Sequence, residues 1–233
     1  MDKKRIVAHR GFGARENTLA AFEGAIAIQA DCIELDVRCS QDQVLIVHHD
    51  PVIGGQAIEA LTWADIQRLD PEVPTLEAAI ACCQGRIQLD VEIKEPGYET
   101  AVVQLLQRHL PLTDFVITSF YLAVIRAVKQ SCADITVGFL IAQETIDDLG
   151  DEPFLGKYLQ AMGVNFVAPH WQVLSSPFLT ERIPEHLPFW VWTVNDEDLM
   201  THLMTDAVRG DRIAALITDR ADVGVEVRDR QIS

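Results

Sequence analysis

Short apolar runs alternate with amphipathic stretches along the whole chain. Ile6-Val7-Ala8 is the first run, and it ends at His9-Arg10-Gly11. Residues 19–30 then repeat apolar side chains at Leu19, Phe22, Ile26 and Ala30, the spacing of one helix face, with Asn17-Thr18 placed to cap it. Residues 32–37 alternate at period two and read as a second strand. Val44 to Val47 is a further strand-like run, ending in His48-His49-Asp50-Pro51, and Gly54-Gly55 marks a turn. Thr62 caps a short predicted helix through Leu69, and Pro74-Thr75 opens another through Cys83. The alternation continues with predicted strands over 87–93, 115–118, 135–141, 165–168, 189–194 and 214–218. Between and after them lie predicted helices over 98–110, 121–131, 145–162 (broken near Gly150 and Pro153), 179–183, 196–207 and 221–229. This makes eight βα units with one extra strand-like run after the second. No linker or repeat interrupts them, so residues 1–233 read as a single domain. A repeating βα pattern implies a parallel sheet, and eight units favour a closed TIM (β/α)8 barrel with only a short insertion after the second unit.

The polar half of the alternation carries the chemistry. Period two puts Glu34 and Asp36 on one face of their strand, and Asp90, Glu92 and Lys94 on one face of theirs. Two readings are open. The faces are ordinary wet edges, or the carboxylates share a half-buried space, repel one another and are relieved by a hard divalent cation. A barrel adds a positional test, because barrel active sites sit at the C-terminal strand ends. The polar residues expected there are His9 and Arg10, Glu34 and Asp36, His49, Glu92 and Lys94, Ser119, His170, Trp192 and Asn195, and Thr218 and Asp219. A lone strand-end His is usually structural; the concentration on one rim is what points to function.

The formal net charge of −16 argues against a nucleic-acid or anionic-membrane partner. A phosphate-bearing ligand would need a local positive centre. The five cysteines are odd in number, include the vicinal Cys82-Cys83 and show no zinc spacing, which predicts reduced thiols and a cytoplasmic location. Cys82-Cys83 on its helix reads as packing. Met1 to Arg5 is charged, leads to only three apolar residues before His9, and does not read as a signal peptide. No apolar run approaches a membrane span, so no stable membrane association is expected.

One ordered set of motifs goes further. It runs His9-Arg10-Gly11, Glu16-Asn17-Thr18-Leu19-Ala20-Ala21-Phe22, Ile33-Glu34-Leu35-Asp36-Val37, His49-Asp50 and Pro74-Thr75-Leu76-Glu77. It continues with Val91-Glu92-Ile93-Lys94, Thr118-Ser119-Phe120, Trp192-Thr193-Val194-Asn195 and Thr218-Asp219-Arg220. The set resembles the glycerophosphodiester phosphodiesterases, of the bacterial cytosolic type, over nearly the whole chain. The resemblance implies a TIM barrel, one bound divalent cation (Mg²⁺ or Ca²⁺), and hydrolysis of a small glycerophosphodiester to sn-glycerol 3-phosphate and an alcohol. By the same resemblance Glu34, Asp36 and Glu92 look like the metal ligands, and His9 and His49 like the acid–base pair. Arg10 and Lys94 look like phosphate contacts, and Trp192 like the aromatic beside the glycerol. Family register selects His49 over His48, as the residue before Asp50. His170 stays outside the expected site, His109, His186 and His202 read as surface residues, and Asp90 has a supporting role at most.

The chain departs from the family pattern twice. The loop over 11–16 is short and lacks the proline that usually precedes Glu-Asn-Thr. The 50–74 connection is short and lacks the Arg-Thr-Thr that usually follows His-Asp, which puts head-group specificity in doubt. Two other functions compete. A lysophospholipase D would want an apolar ramp, for which the 50–74 segment offers Ile53, Ile58, Leu61 and Trp63. A barrel that binds a phosphorylated ligand without turnover would have no need of a His pair. The attacking group is either water or the substrate's own glycerol 2-hydroxyl.

Overall fold

Eight of the apolar runs form parallel strands that close on themselves. In the computed structural model, which describes residues 4–149, 152–205 and 212–230, the strands are β1 (Arg5–His9), β2 (Cys32–Cys39), β3 (Leu45–Val47), β4 (Val52–Ile53), β5 (Gln56–Ala57), β6 (Gln88–Ile93), β7 (Phe115–Ser119), β8 (Val137–Ile141), β9 (Phe166–Pro169), β10 (Phe189–Val191) and β11 (Ile213–Thr218). The barrel runs β1-β2-β6-β7-β8-β9-β10-β11 and returns to β1, every pairing parallel. The expected TIM barrel is therefore the observed fold. The extra run after the second unit is β3, which pairs antiparallel with the end of β2, Val37 to Cys39, the last two residues of which continue past the pairing with β6.

The helices are α1 (Leu19–Ala27), α2 (Trp63–Leu69), α3 (Leu76–Cys83), α4 (Glu99–His109), α5 (Leu122–Ser131), α6 (Gln143–Leu149), α7 (Leu155–Met162), α8 (Pro177–Glu181), α9 (Glu197–Thr205) and α10 (Ala221–Arg230). Local chemistry explains several ends. Thr18, Thr62 and Thr75 each accept a backbone N–H in the first turn of α1, α2 and α3, as N-caps do. Asn17 does not share the capping of α1, and α1 stops at Ala27, short of the predicted Ala30. The helix predicted over 145–162 is two helices, α6 and α7. Pro153 falls in the interval between them, while Gly150 lies outside the described residues. Likewise Ala207, the predicted end of the helix over 196–207, lies outside the described residues. The strand predicted over 189–194 ends at Val191; Trp192 keeps one isolated bridge to His170, and its side chain lines the mouth of the barrel.

Three apolar clusters hold the fold. The largest fills the space between strands and helices. A second fills the barrel itself with Val7, Cys32, Val116, Leu140, Phe166, Trp190 and Ile217, where Trp190 stacks on Phe166 at 4.4 Å. A third is private to the insertion and contains Ile46, Ile53, Ile58, Leu61, Ile66 and Val73. All five cysteines are free. Among the described residues no helix is long and apolar enough to cross a membrane.

Gly138 shows how tightly the barrel interior is filled. A Cβ there would lie 2.3 Å from the ring of Phe166 on the next strand. Gly138→Ala is expected to destabilise the protein by about 1–3 kcal/mol, the cost of overpacking, read as a lower denaturation midpoint in urea at unchanged slope. An unchanged midpoint would mean that Phe166 has room to move.

Candidate active site

Strand register builds the site. Glu34 pairs with Asp90 and Asp36 with Glu92 across β2 and β6, and His9 pairs with Glu34 across β1 and β2. Four carboxylates thus stand in two adjacent rows at the C-terminal end of the barrel, and all four are buried. One oxygen from each of Glu34, Asp36 and Glu92 lies within 4.8 Å of the others. Lys94 Nζ sits 2.9 Å from Glu92 and 3.2 Å from Asp36, and Arg10 Nε sits 3.2 Å from Asp36. These two cations face four acids, so the pocket is short of positive charge.

The titration of the acids follows from that imbalance. Burial, then repulsion from Asp36, Glu92 and Asp90, holds the Glu34 carboxyl well above the usual carboxylate range. Burial likewise pushes Glu92 and Asp90 up to about 7. Asp36 is equally buried, yet Lys94, Arg10 and a hydrogen bond from Asn17 outweigh the burial and keep it below its ordinary value. Among the described residues Asp36 Oδ1 has no hydrogen-bond partner, only the ammonium of Lys94 beside it. Three converging hard oxygen donors, one of them otherwise unpartnered, suit a divalent cation.

Backbone conformation aims the first of these groups. Arg10 adopts a left-handed φ of 57°, which its side chain ordinarily disfavours. Its N–H donates to the Glu34 carbonyl at 2.9 Å, and its guanidinium donates to both Glu16 oxygens at 3.0 Å. Gly11 follows with φ 94°, and a Cβ there would meet Ala21 at 2.6 Å, so the turn after β1 lies directly on α1.

The two imidazoles face the same space. His9, Arg10, His49, Lys94, Phe120 and Trp192 join Glu34, Asp90 and Glu92 around a cavity of about 200 Å³. His9 Nδ1 lies 2.6 Å from Asp219 Oδ1, and Asn195 holds the other Asp219 oxygen at 2.6 Å. The bond to His9 keeps the Asp219 carboxyl below its usual range, so Asp219 is the charged acceptor and His9 Nδ1 the donor. His9 Nε2 then points toward Glu34 Oε2, 3.8 Å away. His49 Nδ1 pairs with Asp50 at 2.8 Å, and burial draws the His49 imidazole below its ordinary value. Trp192 donates its indole N–H to Ala168 O at 2.6 Å and stands edge-on to Phe120 and His170.

The profile of the glycerophosphoryl diester phosphodiesterase family matches residues 9–223. The chain belongs to that family. Membership makes it a phosphoric diester hydrolase by class. YhdW of Bacillus subtilis (strain 168) is 27% identical, over 93% of this chain and 95% of its own. A glycerophosphodiester phosphodiesterase of Bacillus altitudinis is 26% identical, over 97% of this chain and 98% of its own. Among solved structures, the phosphodiesterase of Oleispira antarctica in complex with the product sn-glycerol-3-phosphate superposes with a TM-score of 0.82 at 22% identity, covering 97% of this chain and 96% of that one. The glycerophosphodiester phosphodiesterase of Thermotoga maritima gives 0.81 at 23% identity, covering 97% and 99%. At those identities the structural likeness speaks for the fold.

Within this family barrel the eight site residues expected from the sequence fall together. His9, Arg10, Glu34, His49, Glu92, Lys94 and Trp192 line the cavity, and Asp36 joins the carboxylate cluster beside it. His48 does not line it, and its Nδ1 reaches back to Asp50 O. Asp90 does line it, held by Thr118 Oγ1 at 2.8 Å. Two groups of the site carry no clear signal in the sequence. Asp219 stands there only as one rim residue among several, yet its carboxylate orients His9. Asn17, by sequence a cap candidate beside Thr18, is buried, donates to Asp36 Oδ2 at 2.7 Å and accepts the Asp36 N–H at 3.3 Å.

Proposed function

We propose that this chain hydrolyses glycerophosphodiesters to sn-glycerol 3-phosphate and an alcohol, with Glu34, Asp36 and Glu92 holding one divalent cation and His9 and His49 moving the protons. The observation that carries this reading is the convergence of two imidazoles and two cations on one small cavity beside a three-carboxylate cluster. A bound cation would supply charge to offset the phosphoryl oxygens and acidify a hydroxyl near it. The chain's own groups do the rest. Arg10 and Lys94 neutralise and orient the phosphate, Arg10 by a forked pair of N–H groups. Asp219 and Asp50 each accept a hydrogen bond from the Nδ1–H of their imidazole, which leaves Nε2 of His9 and of His49 to exchange protons. One ring removes the proton of the attacking hydroxyl and the other returns one to the departing alkoxide. Trp192 and Phe120 give the glycerol an apolar wall.

Glycerophosphocholine turnover, measured with and without a chelator, tests the reading. Activity is expected to vanish on chelation and return with Mg²⁺ or Ca²⁺. Turnover indifferent to chelator would overturn the role of the cation, and no turnover with any divalent ion would leave a binding barrel. The lysophospholipid alternative loses its support here. Ile53, Ile58 and Leu61, which would have formed the ramp, are buried in the insertion's own cluster, and Trp63 packs against it.

Head-group selectivity follows from the same segment. No residue from 50 to 74 lines the cavity. Few desolvated contacts to the departing alcohol mean little discrimination, because strong rejection needs buried groups left unpaired. Glycerophosphocholine, glycerophosphoethanolamine and glycerophosphoglycerol are expected to differ in kcat/KM by no more than about tenfold, the scale of one weak contact. Steady-state comparison at one pH and saturating metal checks this, and a preference of about 10³-fold would reveal a head-group pocket.

A further inference from the structure

The Glu34 and Asp36 row on β2 has a third member at the same spacing, Arg38, and neither the fold nor the reaction above accounts for it. Arg38 is charged and only 7% exposed. It does not line the active-site cavity; it lines a separate cleft of about 460 Å³. Its Nε and one terminal nitrogen both donate to the carbonyl of His49, at 2.8 and 2.6 Å. The other terminal nitrogen pairs with Glu95, which follows Lys94. The Tyr98 hydroxyl lies 2.7 Å from Glu95 Oε2 and 2.8 Å from the carbonyl of Val37. The guanidinium is thus braced on the side facing away from His49.

We propose that Arg38 is a positioning residue for His49: it fixes the orientation of the 49–50 peptide and so the direction in which the imidazole meets the substrate. The reason is geometric. A single hydrogen bond fixes a distance, whereas two donors of one rigid plane on one carbonyl also limit its rotation. On the other side the His48 N–H donates to the Asp36 carbonyl at 2.9 Å, so β2 holds the segment at two successive residues. Among the described residues the only side-chain partner of the imidazole is Asp50, which is 65% exposed and holds the ring weakly on its own. A catalytic group misplaced by about 1 Å can cost up to about 100-fold in rate. The strand that carries two acids of the carboxylate cluster therefore also carries the lock on the second imidazole.

The inference rests on the catalytic reading of His49, and a double-mutant cycle separates the two. Arg38→Gln is expected to lower kcat for glycerophosphocholine by about 10–100-fold with KM nearly unchanged, and Arg38→Lys to recover part of it. In the His49→Ala background the same Arg38→Gln change is expected to cost less than about twofold, since its effect passes through a group already removed. Glu95→Gln, which loosens the brace and leaves the two carbonyl bonds in reach, gives the same sign if Arg38→Gln does not fold. Equal fold-losses in both backgrounds would make Arg38 structural and overturn the proposal, as would a wild-type kcat in Arg38→Gln. If His49→Ala kept wild-type activity, the catalytic reading of His49 would fall first; a dead His49→Ala beside a normal Arg38→Gln sinks only this inference.

Discussion

Glu34→Gln, Asp36→Asn and Glu92→Gln should each lose more than about 100-fold in activity at limiting metal, beyond the range for losing a mere supporting partner of a metal ligand, and recover partly in excess metal. Each removes one charged oxygen from a cluster whose members lie within 4.8 Å of one another. Binding calorimetry with the metal alone should show the same loss without reference to turnover. The metal-free proteins should diverge in stability, and the sign separates Glu34 from Asp36. Glu34 is raised by burial and by its acidic neighbours, so the cost of ionising it works against the fold. Below the ordinary carboxylate range it is protonated in both folded and unfolded chains and contributes nothing; above that range the unfolded chain ionises freely and gains. Glu34→Gln removes that penalty and should raise the melting midpoint at pH 7. Asp36 is buried too, but Lys94, Arg10 and Asn17 hold it low, so its charge supports the fold. Asp36→Asn leaves those partners short of an anion and should lower the midpoint. If either variant kept full metal affinity, that carboxylate would not be a ligand, and if both moved the midpoint the same way, the charge balance described here would be wrong.

The sequence disclosed this site unevenly, for a physical reason. Groups that share one strand face announce themselves through period two, which is how Glu34 with Asp36 and Glu92 with Lys94 stand out. The barrel itself was legible because its strands are short apolar runs, or alternate apolar with acidic residues where one face lines the site as in β2 and β6, with helical stretches between them. What stayed hidden are the partners that only closure brings together. Asp219 reaches His9 across the seam between β1 and β11, 210 residues away in sequence. In the chain it is one acid before a helix, where acids commonly serve the helix end. Asn17 precedes a threonine that does cap α1, so its local signal was already explained. Its φ of 57°, which asparagine tolerates better than most residues, marks its real position under Asp36. Arg38 lay in the right row, but its target is a backbone carbonyl, and carbonyls carry no sequence signature.

His9→Ala and His49→Ala should each lower kcat by about 100-fold or more, the usual loss on removing a general acid or base. His48→Ala should cost far less. The two neighbouring imidazoles are a stringent pair because composition, charge and local sequence are almost shared; what differs is direction. His49 faces the cavity, while His48 turns its Nδ1 to the Asp50 carbonyl, 3.0 Å away. Asp219→Asn supplies the matching control for His9. An amide cannot hold the imidazole in the same proton arrangement as a carboxylate 2.6 Å away, because it offers its NH₂ as readily as its oxygen. The ring can then present the wrong nitrogen to the substrate, so Asp219→Asn should approach His9→Ala in kcat while leaving metal affinity near that of the wild type. Steady-state kinetics of the four variants on one substrate, with metal affinity measured separately, decide the matter. His48→Ala as inactive as His49→Ala would show that the loop after β3 presents the other ring. Asp219→Asn with a wild-type rate would mean that His9 finds its orientation without the carboxylate.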